Sequence, residues 1–422
     1  MKTRINNFQL PLLQAERLLL DNQTPIHYFP NEEMNAVRLE FLFPNAGKIN
    51  QNKVFTATMT NIMMTEGTSR FSAYEIAKTL DYYGAFIGRT ANMESSSIVF
   101  YFLKKHSEAL IDCIEDIICR PIFPDNEFKI NINKYRQQHQ INEKKTDFNA
   151  SNKFHQSIFP SHPYGAIGKL CDYDLLLRND LVEFYNNFIA DQNSLTIIAS
   201  GNIDRSLLNL INRSFGALPR KTESPVRKID FPVQIKPNDD IIRVNVPMAT
   251  QVSLRLGRQT ITCNDNMWMS LKVLNCAFGG YFGSRLMSNI REQKGLSYGI
   301  NSILFSYKKA GVIYVSADVK ANEYELAIKE IRNEMDILRN EKMKEEELNR
   351  IKNYLKGEIM RSLDGSFDLS ERYAYLLSKG MPTDYHSKFL ETVNTITTSD
   401  LQTLTAQYLA PETFIQVAAG KF

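Results

Sequence analysis

Hydrophobic and polar positions run through the same order twice along this chain. The run Val37–Phe43 (VRLEFLF) alternates and predicts a strand, and Val252–Leu256 (VSLRL) does the same further on. Helical spacing follows each, near 52–65 and 265–278, then in shorter stretches near 72–83 and 283–294. Two strands come next, near 86–104 and 297–319, and then helices near 106–119 and 322–339. Both passages close alike. Leu181–Gly201 and Leu401–Gly420 each read as an amphipathic helix feeding a buried strand that stops at a glycine, with Phe184 matching Leu404 and Phe188 matching Tyr408. Between them, residues 217–241 carry Pro219, Pro225, Pro232 and Pro237 and no helical period, which predicts an extended linker. The organisation expected is therefore a half over 1–216, a linker over 217–241 and a second half over 242–422. Strands in runs followed by helices in runs predict an α+β fold. Each half would be a mainly antiparallel sheet with helices on one face. The charged segment 340–362 predicts a helix with a solvated face.

Composition narrows the function. The chain has 422 residues, 43% of them hydrophobic, which excludes disordered and fibrous classes. Fifty Lys+Arg against 47 Asp+Glu leave a net charge of +3, so nothing argues for nucleic acid. The longest apolar run, Ile98–Leu103, is strand-sized, which predicts no membrane segment. The Leu-rich stretch 10–20 contains Glu16 and Arg17 and is not expected to be a signal peptide. Cys113, Cys119, Cys171, Cys263 and Cys276 show no C-x2-C spacing; they predict reduced thiols and a cytoplasmic location. Six histidines leave little material for metal sites. No G-x-S-x-G elbow or phosphate-binding G-x-x-x-x-G-K-[ST] loop is present.

One segment is distinctive. Phe278–Ile300, FGGYFGSRLMSNIREQKGLSYGI, contains Ser284-Arg285-Leu286, Ile290-Arg291-Glu292 and Gly295-Leu296-Ser297-Tyr298. It resembles the C-terminal-half signature of the pitrilysin, insulin-degrading enzyme and mitochondrial processing peptidase family. The duplicated halves, Met64–Thr68 (MTEGT) and Phe159–Pro163 (FPSHP) also have counterparts in that family. The resemblance covers essentially the whole chain and implies two homologous halves closing as a clamshell around a chamber.

It also implies where zinc chemistry would sit. Active members bind zinc through an inverted H-x-x-E-H helix in the first half, with the Glu as general base. Gly67-Thr68 fixes the register here. The His positions then hold Thr58 and Ile62, and the general-base position holds Asn61. The distal Glu would fall near Gln138 or His139. None of Thr58, Asn61 and Ile62 is a zinc ligand of the usual kind, so no autonomous catalytic residue and no metal are expected in this chain.

What remains of the family pattern is Arg291 and Tyr298. The resemblance implies that they bind substrate backbone and the developing oxyanion in a zinc site carried by a partner chain. Sequence physics alone also allows an Arg favoured by a helix C-terminus and a Tyr packed in a strand. Gly279, Gly280 and Gly283 form a glycine-bearing stretch that resembles, in shorter form, the glycine-rich loop of the non-catalytic processing-peptidase subunit; a simple turn is the alternative. The expectation is a non-catalytic subunit of a zinc metallopeptidase. It would supply Arg291, Tyr298 and half of a peptide chamber to a homologous zinc-bearing chain, with a homodimer possible in isolation. The alternative is a structural or assembly protein, or a free-standing peptide-binding protein, on the same fold.

Overall fold

The computed structural model describes residues 13–190, 195–217 and 241–422; most of the expected linker lies outside them. In the first half the strands are β1 (Glu16–Leu19), β2 (Pro25–Pro30), β3 (Ala36–Phe43), β4 (Phe86–Ala91), β5 (Ser96–Leu103) and β6 (Thr196–Gly201). Its helices are α1 (Thr56–Met63), α2 (Ala73–Tyr82), α3 (Ser107–Cys119), α4 (Asp125–Asn142), α5 (Thr146–Ile158), α6 (Asp172–Leu175), α7 (Arg178–Phe188) and α8 (Arg205–Phe215). The second half has β7 (Ile241–Asn245), β8 (Gln251–Thr260), β9 (Ser297–Ser306), β10 (Gly311–Lys320) and β11 (Ile415–Gly420). Its helices are α9 (Trp268–Asn275), α10 (Tyr324–Asn340), α11 (Glu345–Arg361), α12 (Ser366–Lys379), α13 (Tyr385–Thr395) and α14 (Thr398–Tyr408).

The two sheets share one topology. The first runs β1-β2-β6-β3-β5-β4 and the second β7-β11-β8-β10-β9. Apart from the extra β1, the orders superimpose strand for strand, including the parallel pairs β2–β6 and β7–β11 in otherwise antiparallel sheets. The α+β architecture of two homologous halves, a clamshell, follows from this repeat.

Side-chain alternation on the central strands explains how the halves close on each other. Val37, Leu39 and Phe41 of β3 point into a core with α1, α3, α7 and α8. Val252, Leu254 and Leu256 of β8 point into the core under α9, α10 and α14. Their neighbours Arg38, Glu40, Ser253 and Arg255 are polar yet buried, so the other face of each sheet is covered too. The cover is a helix from the opposite half. On the first sheet, α12 brings Ser370, which receives a hydrogen bond from Arg38 at 3.2 Å and meets Ser200 at 2.8 Å. On the second, α5 brings Thr146 to Ser253 at 2.8 Å and Ser151 to Arg255 at 3.0 Å, and Asp147 pairs with Arg255. Phe154 and Ile158 of α5 pack there with Val312, Ile415 and Val417. Thus each sheet carries its own helices on one face and one exchanged helix on the other.

Two further features complete the fold. The charged helix α11 is not solvated all round: Leu348, Ile351, Leu355 and Ile359 form a buried stripe at helical spacing, and the charges occupy the remainder. Among the described residues, no helix is long and apolar enough to cross a membrane.

Candidate functional site

The helix that the resemblance assigns to zinc is α1. Gly67 has φ +141°, and a Cβ there would come within 2.7 Å of Pro124, so the chain leaves α1 at a point where only glycine fits. The three motif positions face different surroundings. Thr58 is half-buried in the wall of a cavity of about 250 Å³. Ile62 is buried in the first-half core. Asn61 is buried, and its amide donates to the backbone carbonyls of Thr90 at 2.9 Å and Ser97 at 3.3 Å, a facing pair on β4 and β5. A hydroxyl, a neutral amide whose NH2 group is held by two strands and a hydrocarbon are not the thiolate, imidazole or carboxylate set that zinc takes. Among the described residues no cluster of three His, Cys, Asp or Glu side chains could hold a metal.

Of the two residues expected at the distal position, Gln138 is exposed and bonds to Asn142, while His139 is buried and lines the same cavity as Thr58. His139 stands edge-on to Phe55 and Tyr173, at 5.8 and 5.7 Å between ring centroids. Phe55 itself has φ +74°, a conformation costly for an aromatic residue. Its ring stacks on Tyr173 at 4.2 Å and covers Gly168, where a Cβ would lie 2.1 Å from it. Lys48 also lines the cavity, and burial lowers the pKa of its ammonium. Phe55, Gly168 and Lys48 escaped the sequence reading because none belongs to a motif; the contacts that single them out are made in three dimensions.

Arg291 and Tyr298 sit on a different kind of structure. Arg291 lies in a π-helical turn, Met287–Gln293. Gly295 ends it with φ +62°, and the Lys294 and Leu296 N–H groups close back on Asn289 and Ile290. Such widened turns are frequent at functional sites. The turn is fastened at several points. Arg285 meets Glu347 of α11 through two hydrogen bonds of 2.8 and 2.9 Å, Asn289 donates to Glu334 of α10 at 2.7 Å, and Lys294 pairs with Glu330. Arg291 is the exception. Its guanidinium lies over the Phe282 ring at 5.2 Å, and no hydrogen bond or ion pair engages it among the described residues.

Tyr298 follows on edge strand β9 and is 83% exposed, again with no hydrogen bond among the described residues. The pairing of β9 with β10 slips by one residue between Ser297 and Ile300, and this bulge takes up Tyr298 and Gly299. Bulges re-aim side chains. The glycine-bearing stretch is mostly not a loop. Gly279 and Gly280 end a second π-helical turn, Cys276–Gly280, and a Cβ on Gly279 would approach the Ser302 backbone to 2.6 Å. Only Gly283 lies in a non-helical bend.

The repeat reaches this site as well. Gly84 has φ +63° and ends α2 just before edge strand β4, as Gly295 does before β9. Gly84-x-x-x-Gly88 thus answers Gly295-x-x-x-Gly299, with Ile87 in the place of Tyr298.

Comparison with known proteins points the same way as the resemblance. Residues 176–355 match the profile of the peptidase M16 inactive domain. This match falls within the pitrilysin-like family that the Arg291 segment resembles, and the profile is that of its inactive domain. Among its relatives, an uncharacterized zinc protease, YmxG of Bacillus subtilis, is 24% identical over 306 residues, 72% of this chain and 73% of that one. A probable inactive metalloprotease of the same organism, YmfF, is 23% identical over 249 residues, 58% of this chain and 57% of the relative. Among solved M16 structures, the peptidase M16 inactive domain from Pseudomonas fluorescens superimposes with a TM-score of 0.87 at 21% identity, covering 97% of this chain and 98% of the other.

Proposed function

We propose that this M16 chain is the non-catalytic subunit of a two-chain zinc peptidase. It supplies Arg291 and Tyr298, and half of the peptide chamber, to a partner chain that carries zinc on an H-x-x-E-H helix. One observation carries the reading. On a turn where Arg285 and Lys294 are both held by glutamates, Arg291 has no ionic partner among the described residues. A guanidinium with its donors unspent, seven residues before an exposed phenol on an edge strand, is equipped to hold a substrate carbonyl and the charge that develops on it. Edge strands β4 and β9 offer backbone groups to an extended peptide. The described cysteines are all free, which suits the reducing cytoplasm, where we place the pair.

The test is reconstitution. The purified chain is expected to contain no stoichiometric zinc by elemental analysis and to cleave no oligopeptide. Mixed with a zinc-bearing M16 chain of similar size that co-purifies with it, it should raise peptide turnover well above that of the zinc chain alone. Zinc bound one-to-one by the isolated chain contradicts the reading. So does a co-purifying complex in which no chain carries H-x-x-E-H, which favours an assembly role.

A further inference from the structure

The cavity beside α1 has properties of its own. It is bounded by the turn at Lys48, the first turn of α1 and the exchanged helix α5. No Asp or Glu lines it. Lys48 brings a cation, and among the described residues no hydrogen bond, ion pair or aromatic ring engages its ammonium. Burying an ammonium without a counter-ion is expensive, and the lowered pKa of Lys48 reports that cost. Neutral donors stand nearby. The Gln51 side-chain oxygen accepts from the Ala57 N–H, which leaves its NH2 group to donate elsewhere. Thr58 and Asn152 also line the cavity, and among the described residues their side chains make no hydrogen bond. The positive end of the α1 dipole adds to the same sign. Phe55 and Phe148 supply an apolar wall.

We propose that this cavity is a carboxylate-binding pocket, with Lys48 as counter-ion and a bound peptide as the source of the carboxylate. A single uncompensated cation matches one negative charge, whereas a phosphate dianion calls for more. At about 250 Å³ the cavity lies just below the roughly 300–1,000 Å³ of ordinary small-molecule sites, so it takes one residue rather than a cofactor. The carboxylate is either the C-terminus of the peptide or an acidic side chain. The inference rests on the reading that the chain binds peptides, but not on Arg291, Tyr298 or a zinc-bearing partner.

The experiment measures binding to the isolated full chain by fluorescence anisotropy. Three dye-labelled peptides serve as probes: Gly-Ala-Ala-Ala-Phe as free acid, the same peptide as C-terminal amide, and Gly-Ala-Ala-Asp-Phe amide. One carboxylate-bearing peptide should bind at least about tenfold tighter than the plain amide, and which of the two does so identifies the source. Lys48→Met should erase that preference with an unchanged circular dichroism spectrum and melting temperature, and Lys48→Arg should restore it. Equal binding of all three peptides overturns the inference, as does a preference that survives Lys48→Met. If no peptide binds, thermal shift with millimolar N-acetylphenylalanine decides: Lys48-dependent stabilisation supports the pocket and none overturns it. Failure of the two-chain reading appears separately, as absent turnover in the reconstituted mixture while the carboxylate preference stands.

Discussion

The helix α1 and the turn closed by Gly295 are the two places where the resemblance puts catalytic chemistry, and here the two are built in opposite ways. On α1 the motif positions have been drawn into the fold: Asn61 holds two strands and Ile62 fills the core. At the Gly295 turn the surrounding charges are fastened, Arg291 is half-buried over Phe282 without an ionic partner among the described residues, and Tyr298 is exposed. On the proposed reading, the α1 positions serve the fold, and Arg291 and Tyr298 are kept for a ligand.

That contrast can be broken by mutation. Asn61→Glu restores the general base of the motif but sets a carboxylate against the carbonyl oxygens of Thr90 and Ser97. It should cost about 3 kcal/mol in urea unfolding, the scale of an uncompensated buried charge; a neutral result would mean that α1 still tolerates its ancestral chemistry. Gly295→Ala should cost about 1 kcal/mol, since φ +62° strains any residue with a Cβ even though open space surrounds it. Arg291→Ala and Tyr298→Phe should shift stability by no more than about 0.5 kcal/mol, as expected for groups that make no hydrogen bond or ion pair among the described residues. A larger loss at Arg291 would assign it to the fold instead of to a ligand.

The repeat was legible in the sequence because both halves keep the same alternation at Val37–Phe43 and Val252–Leu256. Gly67 and Gly295 stood out in the sequence as parts of the resembling motifs, and their positive φ is seen only in the structure. The exchange of α5 and α12 was not. Ala150, Phe154 and Ile158 mark a helix face, but nothing local says which sheet that face covers. A clue lay in the strands: the buried polar alternates Arg38, Glu40, Ser253 and Arg255 require a second covered face, which becomes visible only when burial is known. The π-helical turns were equally hidden, because widening by one residue leaves the hydrophobic period almost unchanged. At the candidate site, the resemblance pointed to Thr58, Asn61, Ile62, Arg291 and Tyr298, whereas the pocket around Lys48 and Phe55 depends on a φ of +74° and on Gly168 from a distant loop.

The most direct test is peptide turnover by the reconstituted pair with Arg291→Ala in place of the wild-type chain, with assembly verified by gel filtration. Loss of a transition-state donor predicts turnover about 100- to 1,000-fold lower in an intact complex. Unchanged turnover in an intact complex would contradict the account.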